Sequence, residues 1–214
     1  TGTKNTAVGY LAMELNTTGF NNSAVGVEAL WLNTIGQQNT ALGMDALMKN
    51  DDGNSNTGIG YGALQWNITG DGNTAVGGSA ATNATGSGNT VMGQYAFNQA
   101  KAGSQATAIG YQAMFYANNT TVPYNSTNVA VGYQSLHGST NAANNTGNGN
   151  TAIGHTALKN YTLGSNNTAL GYLAGDVILT GSNNTFIGYN ADATTNNLTN
   201  ATAIGSNAEV DASN

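Results

Sequence analysis

The chain has 214 residues and a formal net charge of −6, with ten acidic residues against four lysines, no arginine and no cysteine. That charge pattern offers nothing to neutralise a phosphate backbone, which argues against nucleic-acid binding, and the missing cysteine removes disulfides, thiolate metal sites and thiol nucleophiles. Asn, Thr and Gly supply 93 residues while Leu, Ile, Val and Phe supply only 36, too few for an ordinary enzyme-like core.

From the start of the chain a single phrase, Asn-Thr-Ala-aliphatic-Gly, recurs with small variations. It occupies residues 5–9, 22–26, 39–43, 56–60, 73–77 and 89–93, and six later copies end at Gly110, Gly132, Gly154, Gly171, Gly188 and Gly205. Successive glycines are 17 residues apart in eight of eleven intervals, 16 in one and 22 in two. A fixed period of this length, filled with strand formers and turn residues, predicts an all-β parallel solenoid of about twelve 17-residue coils, forming one repeat domain over residues 1–214. At the spacing of neighbouring strands such a stack is about 55 Å long. A helical alternative fails, because glycine in every candidate helix costs about 1 kcal/mol and Asn and Thr are poor helix interiors. No apolar run reaches the roughly 18 residues of a membrane-spanning helix.

Within each coil the pattern predicts two short strands and two turns. The residue before the glycine is always aliphatic or Met, from Val8, Val25 and Leu42 to Ile187 and Ile204. Strand alternation puts it on one face with the Thr two positions earlier, and puts Ala and Gly on the other. The aliphatic row is expected to form a thin internal spine. The Ala and Gly face is expected to admit the close approach of another copy, which predicts a homo-oligomer about a long axis. Asn side chains at equivalent positions are expected to stack as amide ladders.

Three stretches carry a family likeness: Asn-Thr-Ala-Ile-Gly at residues 150–154, Ala-Thr-Ala-Ile-Gly at 106–110, and Asn-Ala-Thr-Ala-Ile-Gly-Ser-Asn-Ala-Glu at 200–209. They resemble the head repeats of trimeric autotransporter adhesins, and are equally similar to repeats of bacterial and phage tail-fibre-like proteins. The resemblance implies a left-handed parallel β-roll and a homotrimer. It further implies an extracellular structural and adhesive fibre, on a bacterial surface or a tail-fibre-like particle, whose partners are its own copies and a host surface glycan or protein. The family's repeat is shorter than the 17 residues found here. The chain reads as a segment of a longer protein, with no membrane span of its own, no cofactor and no catalytic role.

The two 22-residue intervals follow consecutive coils, so their enlarged loops, 115–125 and 137–147, are expected to protrude side by side. Insertions on one side of a solenoid mark a common binding face. The candidate ligand-binding residues there are Phe115, Tyr116 and Tyr124, whose rings suit sugar faces, Asn118, Asn119, Asn141, Asn144 and Asn145, whose amides suit hydroxyls, and His137. A second row, Tyr10, Tyr61, Tyr111, Tyr133, His155, Tyr172 and Tyr189, follows the conserved glycine and reads as packing rungs or a recognition stripe. Glu28 and Asp45, stacked in adjacent coils, are the one pair that approaches a glycosidase spacing. The turns around Asp51, Asp52 and Asp71 offer oxygen ligands but do not repeat, so no metal site is expected. Two alternative functions compete with adhesion. One is an ice-binding solenoid, supported by the Thr of the repeat phrase; the other is a glycan-cleaving tailspike resting on Glu28 and Asp45.

Overall fold

In the computed structural model, which describes residues 2–214, the chain winds as an all-β solenoid of twelve coils. Each coil contributes one three-residue strand, from Thr6–Val8 to Thr202–Ile204, to a continuous twelve-stranded parallel sheet. Register follows the repeat: Thr6 pairs with Ser23, Ala7 with Ala24 and Val8 with Val25. The enlarged coils keep it, since Ala130 pairs with Ala108 on one side and with Ala152 on the other. The extra residues are therefore looped out of the coil and leave the sheet unperturbed.

The facing of the strands is the reverse of the expected one. Ala24, Ala41, Ala75, Ala108, Ala130, Ala152 and Ala169 at the strand centres are buried, while the flanking Thr and aliphatic side chains point outward. Val8 is 58% exposed, Leu42 47% and Ile204 64%. The aliphatic row is thus an external stripe and the Ala row is the core. The stacked 17-residue coils enclose too little space for Val or Ile at every strand centre together with a Leu from the turn of the coil before.

The expected second strand is also absent from most coils. In its place runs a series of tight turns in which alternate residues have left-handed backbone: Glu28 and Leu30 at φ 55° and 52°, Asp45 and Leu47 at 60° and 51°. Such a conformation costs an L-residue about 1–2 kcal/mol, and it does what a strand cannot. It turns two consecutive side chains inward, so that Ala29 and Leu30 are both buried. The run is held by its neighbours on both sides, Glu28 N–H donating to Tyr10 O in the preceding coil and Leu30 N–H to Ala46 O in the following one.

Two asparagine columns complete the interior. In the first, each side chain binds backbone above and beside it: Asn56 Oδ1 accepts from Asn73 N–H at 2.9 Å and its Nδ2 donates to Gly70 O at 2.7 Å. In the second, Asn16, Asn33, Asn50 and Asn67 form a true amide ladder, each Nδ2 donating to the previous Oδ1 at 2.8–2.9 Å. At the same place in later coils Ala84, Ala100 and Ala117 are buried, followed by Tyr161 and Ile178. This second column thus changes from polar to apolar along the solenoid, while the first stays polar through Asn150, Asn167 and Asn184.

The invariance of the phrase-ending glycine has two causes. Gly60 sits at φ +124°, and a Cβ there would lie 2.7 Å from the carbonyl of Gly77 in the next coil. Only glycine lets the coils stack at strand spacing on this corner.

Candidate functional site

The enlarged loops do lie against each other. Asn145 is buried and bridges them, its Nδ2 donating to Tyr116 O in the first loop at 2.5 Å and to Ser139 O in its own at 2.8 Å. Phe115 stacks on His137 with centroids 5.7 Å apart, and Tyr116 meets both rings edge-on, at 4.6 and 5.1 Å. Burial, together with nearby Lys159, holds the His137 imidazole below its ordinary pKa. These aromatic faces are occupied by one another.

Tyr124 folds inward as well. Its hydroxyl donates to Asn118 O at 3.0 Å, and burial pushes its pKa up to about 12. Asn118 Oδ1 accepts from Thr120 N–H and shapes its own turn. Asn119 is half-buried, and Asn141 and Asn144 are exposed at the ends of a short 3-10 turn, Ala142–Asn144. The loops therefore act as a structured wall, and their open polar groups are few.

The tyrosine row forms a column in the later coils. Tyr111, Tyr133, His155, Tyr172 and Tyr189 stack nearly parallel, with successive centroids 5.5, 4.7, 5.0 and 5.4 Å apart. Each contact of this kind contributes about 0.5–1.5 kcal/mol. The inner rings have both faces covered by their neighbours, whereas Tyr189 at the end of the column stacks on Tyr172 alone and is exposed. Tyr10 and Tyr61 stand exposed and outside the stacked run. Glu28 and Asp45 lie half-buried on the turn run, where the Asp45 carboxylate accepts from Gln65 Nε2 at 3.5 Å, and neither lines the groove beside the second enlarged loop. Asp51 and Asp71 are taken up in turn bonding, with Thr34 Oγ1 donating to Asp51 and Asn54 N–H to Asp71. Among the described residues no three acidic or histidine side chains converge as metal ligands.

A groove of about 690 Å³ opens where the second enlarged loop meets the tenth and eleventh coils. Ser139 forms one wall, Asn160 and Asp176 another, and Thr194, Thr195 and Asn196 the far side. Behind Asp176 lies Asp192, only 6% exposed, with Oδ2 accepting from Val177 N–H at 3.1 Å and Oδ1 from Ala193 N–H at 2.7 Å. Burial and a hydrogen bond with Asp176 push the Asp192 pKa up to about 7.

Sequence reasoning missed this pair, although a signal exists. The fourth residue after each repeat glycine is the inward turn residue, held by Leu30, Leu47, Leu64, Phe97, Met114, Leu136 and Leu158. In the tenth and eleventh coils that place is taken by Gly175 and Asp192. The tenth coil keeps its left-handed pair, Leu173 and Gly175, but the run breaks off at Asp192 in the eleventh, where a short parallel strand pair, Asp192–Ala193 with Glu209–Val210, replaces it.

No family model, no curated protein and no solved structure matches this chain.

Proposed function

We propose that this chain is a non-catalytic fibre segment that assembles as a homotrimer outside the cell and displays a surface for attachment to host glycans or proteins. One observation carries the reading: the outward aliphatic row, half-exposed or exposed in all twelve coils, runs the length of the sheet with no part of the chain over it. Continuous exposed apolar surface marks an interaction site. A second copy is the partner whose side chains repeat at the same interval, so successive rungs meet in register. Trimerisation then multiplies weak surface contacts by avidity. The interface in this reading is the aliphatic face, whereas the sequence pattern pointed to the Ala and Gly face.

Light scattering tests it. The expected mass is three times 21.6 kDa, and Leu42→Asp with Ile153→Asp should release monomers that keep their β-sheet circular dichroism. A wild-type monomer overturns the trimer.

One observation favours a second reading. Ten of twelve coils place Thr in the strand position two before the aliphatic residue, and this row faces outward in the regular array an ice-binding surface needs. Trimer and ice compete for the same face. Thermal hysteresis from a monomeric sample would establish ice binding, and its absence removes it.

A further inference from the structure

We propose that the groove between the second enlarged loop and the tenth and eleventh coils is a binding subsite for a short neutral glycan. This deepens the attachment reading and rests on it for its biological setting. Three departures from the repeat converge here and nowhere else among the described residues. These are the extra loop that supplies Ser139, the replacement of the inward apolar residue by Gly175 and Asp192, and the strand pair in place of the turn run. A volume of about 690 Å³ suits a small-molecule ligand.

The groove's chemistry selects the ligand class. Hydroxyl and amide groups of Ser139, Asn160, Thr194 and Asn196 both donate and accept, as sugar hydroxyls require. Val177 and Leu179 add an apolar patch suited to the C–H face of a pyranose ring. Asp176 makes the groove unwelcoming to anions. A divalent cation is disfavoured because both Asp192 oxygens already face backbone N–H donors, Val177 and Ala193. Hydrolysis is disfavoured by the arrangement: Asp192 is buried and its oxygens accept from Val177 and Ala193 N–H, so it offers no second carboxylate across a scissile bond, as glycosidases require. Asp192 is a positioning residue that holds the backbone next to Asp176, accepting from Val177 and Ala193 N–H. Asn160 Nδ2 fixes the backbone beneath, donating to Asp176 O at 2.9 Å. None of the lining side chains belongs to the outward Thr or aliphatic rows, so copies seated on the sheet leave the groove open.

The test is saturation-transfer NMR on the full chain with lactose, maltose and diacetylchitobiose as probes. Transfer to at least one disaccharide is expected. It should weaken about tenfold or more in Thr194→Val combined with Asn196→Ala, the loss of two hydrogen bonds, and survive both Tyr172→Ala and chelator. Thr194→Val alone, nearly isosteric, gives a smaller loss and guards against misfolding of the double variant. No transfer with any probe, transfer that persists in the double variant, or transfer abolished by chelator overturns the subsite. Light scattering on the same sample reports trimerisation independently, so failure of one reading is distinguishable from failure of the other.

Discussion

Gly175 and Phe186 share one volume in the core. A Cβ on Gly175 would lie 2.8 Å from Cδ2 of Phe186 and 2.9 Å from Cδ2 of Leu158. Phe186 stands at a strand centre, where nine of the twelve coils carry Ala, and the preceding coil gives up its inward turn residue to make room. The same exchange recurs at Val91, preceded by Ala81 in that row, and in reverse at Gly58, where a Cβ would meet Leu47 Cγ at 3.2 Å. Core volume is conserved between a strand centre and the turn of the coil before it, as close packing demands.

Phe186→Ala should therefore destabilise the chain by about 3–5 kcal/mol, the range for emptying a buried aromatic site. Gly175→Ala should cost about 1–3 kcal/mol through overpacking and its φ of +65°. In the Phe186→Ala background the Gly175→Ala cost should shrink, because one of its two clashing partners has gone. Urea unfolding of the four proteins gives the coupling; strict additivity would refute the shared volume.

The repeat glycines separate two causes of their invariance. Gly60→Ala meets both a φ of +124° and the next coil's carbonyl at 2.7 Å, and should prevent folding or cost well over about 3 kcal/mol. Gly205 has φ +128° but no atom within 3.8 Å of a built Cβ. Gly205→Ala should cost only the backbone strain, about 1–3 kcal/mol. Equal effects at the two sites would show that coil contact contributes nothing.

The first asparagine column predicts a pattern of amide exchange. Asn56→Ala deprives Asn73 N–H of its acceptor and the Gly70 carbonyl of one of its two donors, Asn67 Nδ2 remaining, and should cost about 1–3 kcal/mol. The chain contains its own control. Ala106 occupies the column below Asn128 and has no side-chain acceptor for that residue's N–H, whereas Asn150 N–H bonds to Asn128 Oδ1 at 2.8 Å. The Asn128 amide should exchange faster than those of Asn73 and Asn150; equal protection of all three would contradict the column's role.

The period, the coil number and the parallel sheet were legible because every coil repeats the same phrase. The inward face was not. In a three-residue strand such as Thr40–Leu42, alternation says that Thr40 and Leu42 share a side but not which side is enclosed. The enclosed volume decides that, and it is set by Leu30 and Leu47 arriving from turns that sequence alone reads as strands. The adjacency of the enlarged loops followed from their consecutive coils. The inward folding of Tyr124 and the mutual stacking of Phe115, Tyr116 and His137 did not, because loop packing has no period. Asp192 was readable in principle as the place where an apolar column gives way to carboxylates, with Glu209 next in line.

The Asp192 carboxylate gives the chain a pH dependence of definite sign. The folded pKa of Asp192 is about 7, raised first by burial and then by its hydrogen bond to Asp176, whereas an unfolded Asp titrates near 3.9. Between those values the unfolded chain has lost a proton that the folded chain keeps. Stability should fall as pH rises from about 4 to 7 and level off above. Glu209, the in-register partner of Asp192 in the next coil, adds negative charge on the same side. Asp176→Asn removes the like charge and supplies an amide donor to the Asp192 carboxylate, so ionised Asp192 becomes the satisfied form. The variant should match wild type near pH 4.5, exceed its melting temperature near pH 7.5, and show a flatter slope between. A wild-type melting temperature that rises across this window would refute the raised Asp192 pKa, and an Asp176→Asn slope parallel to wild type would refute the part Asp176 plays in it.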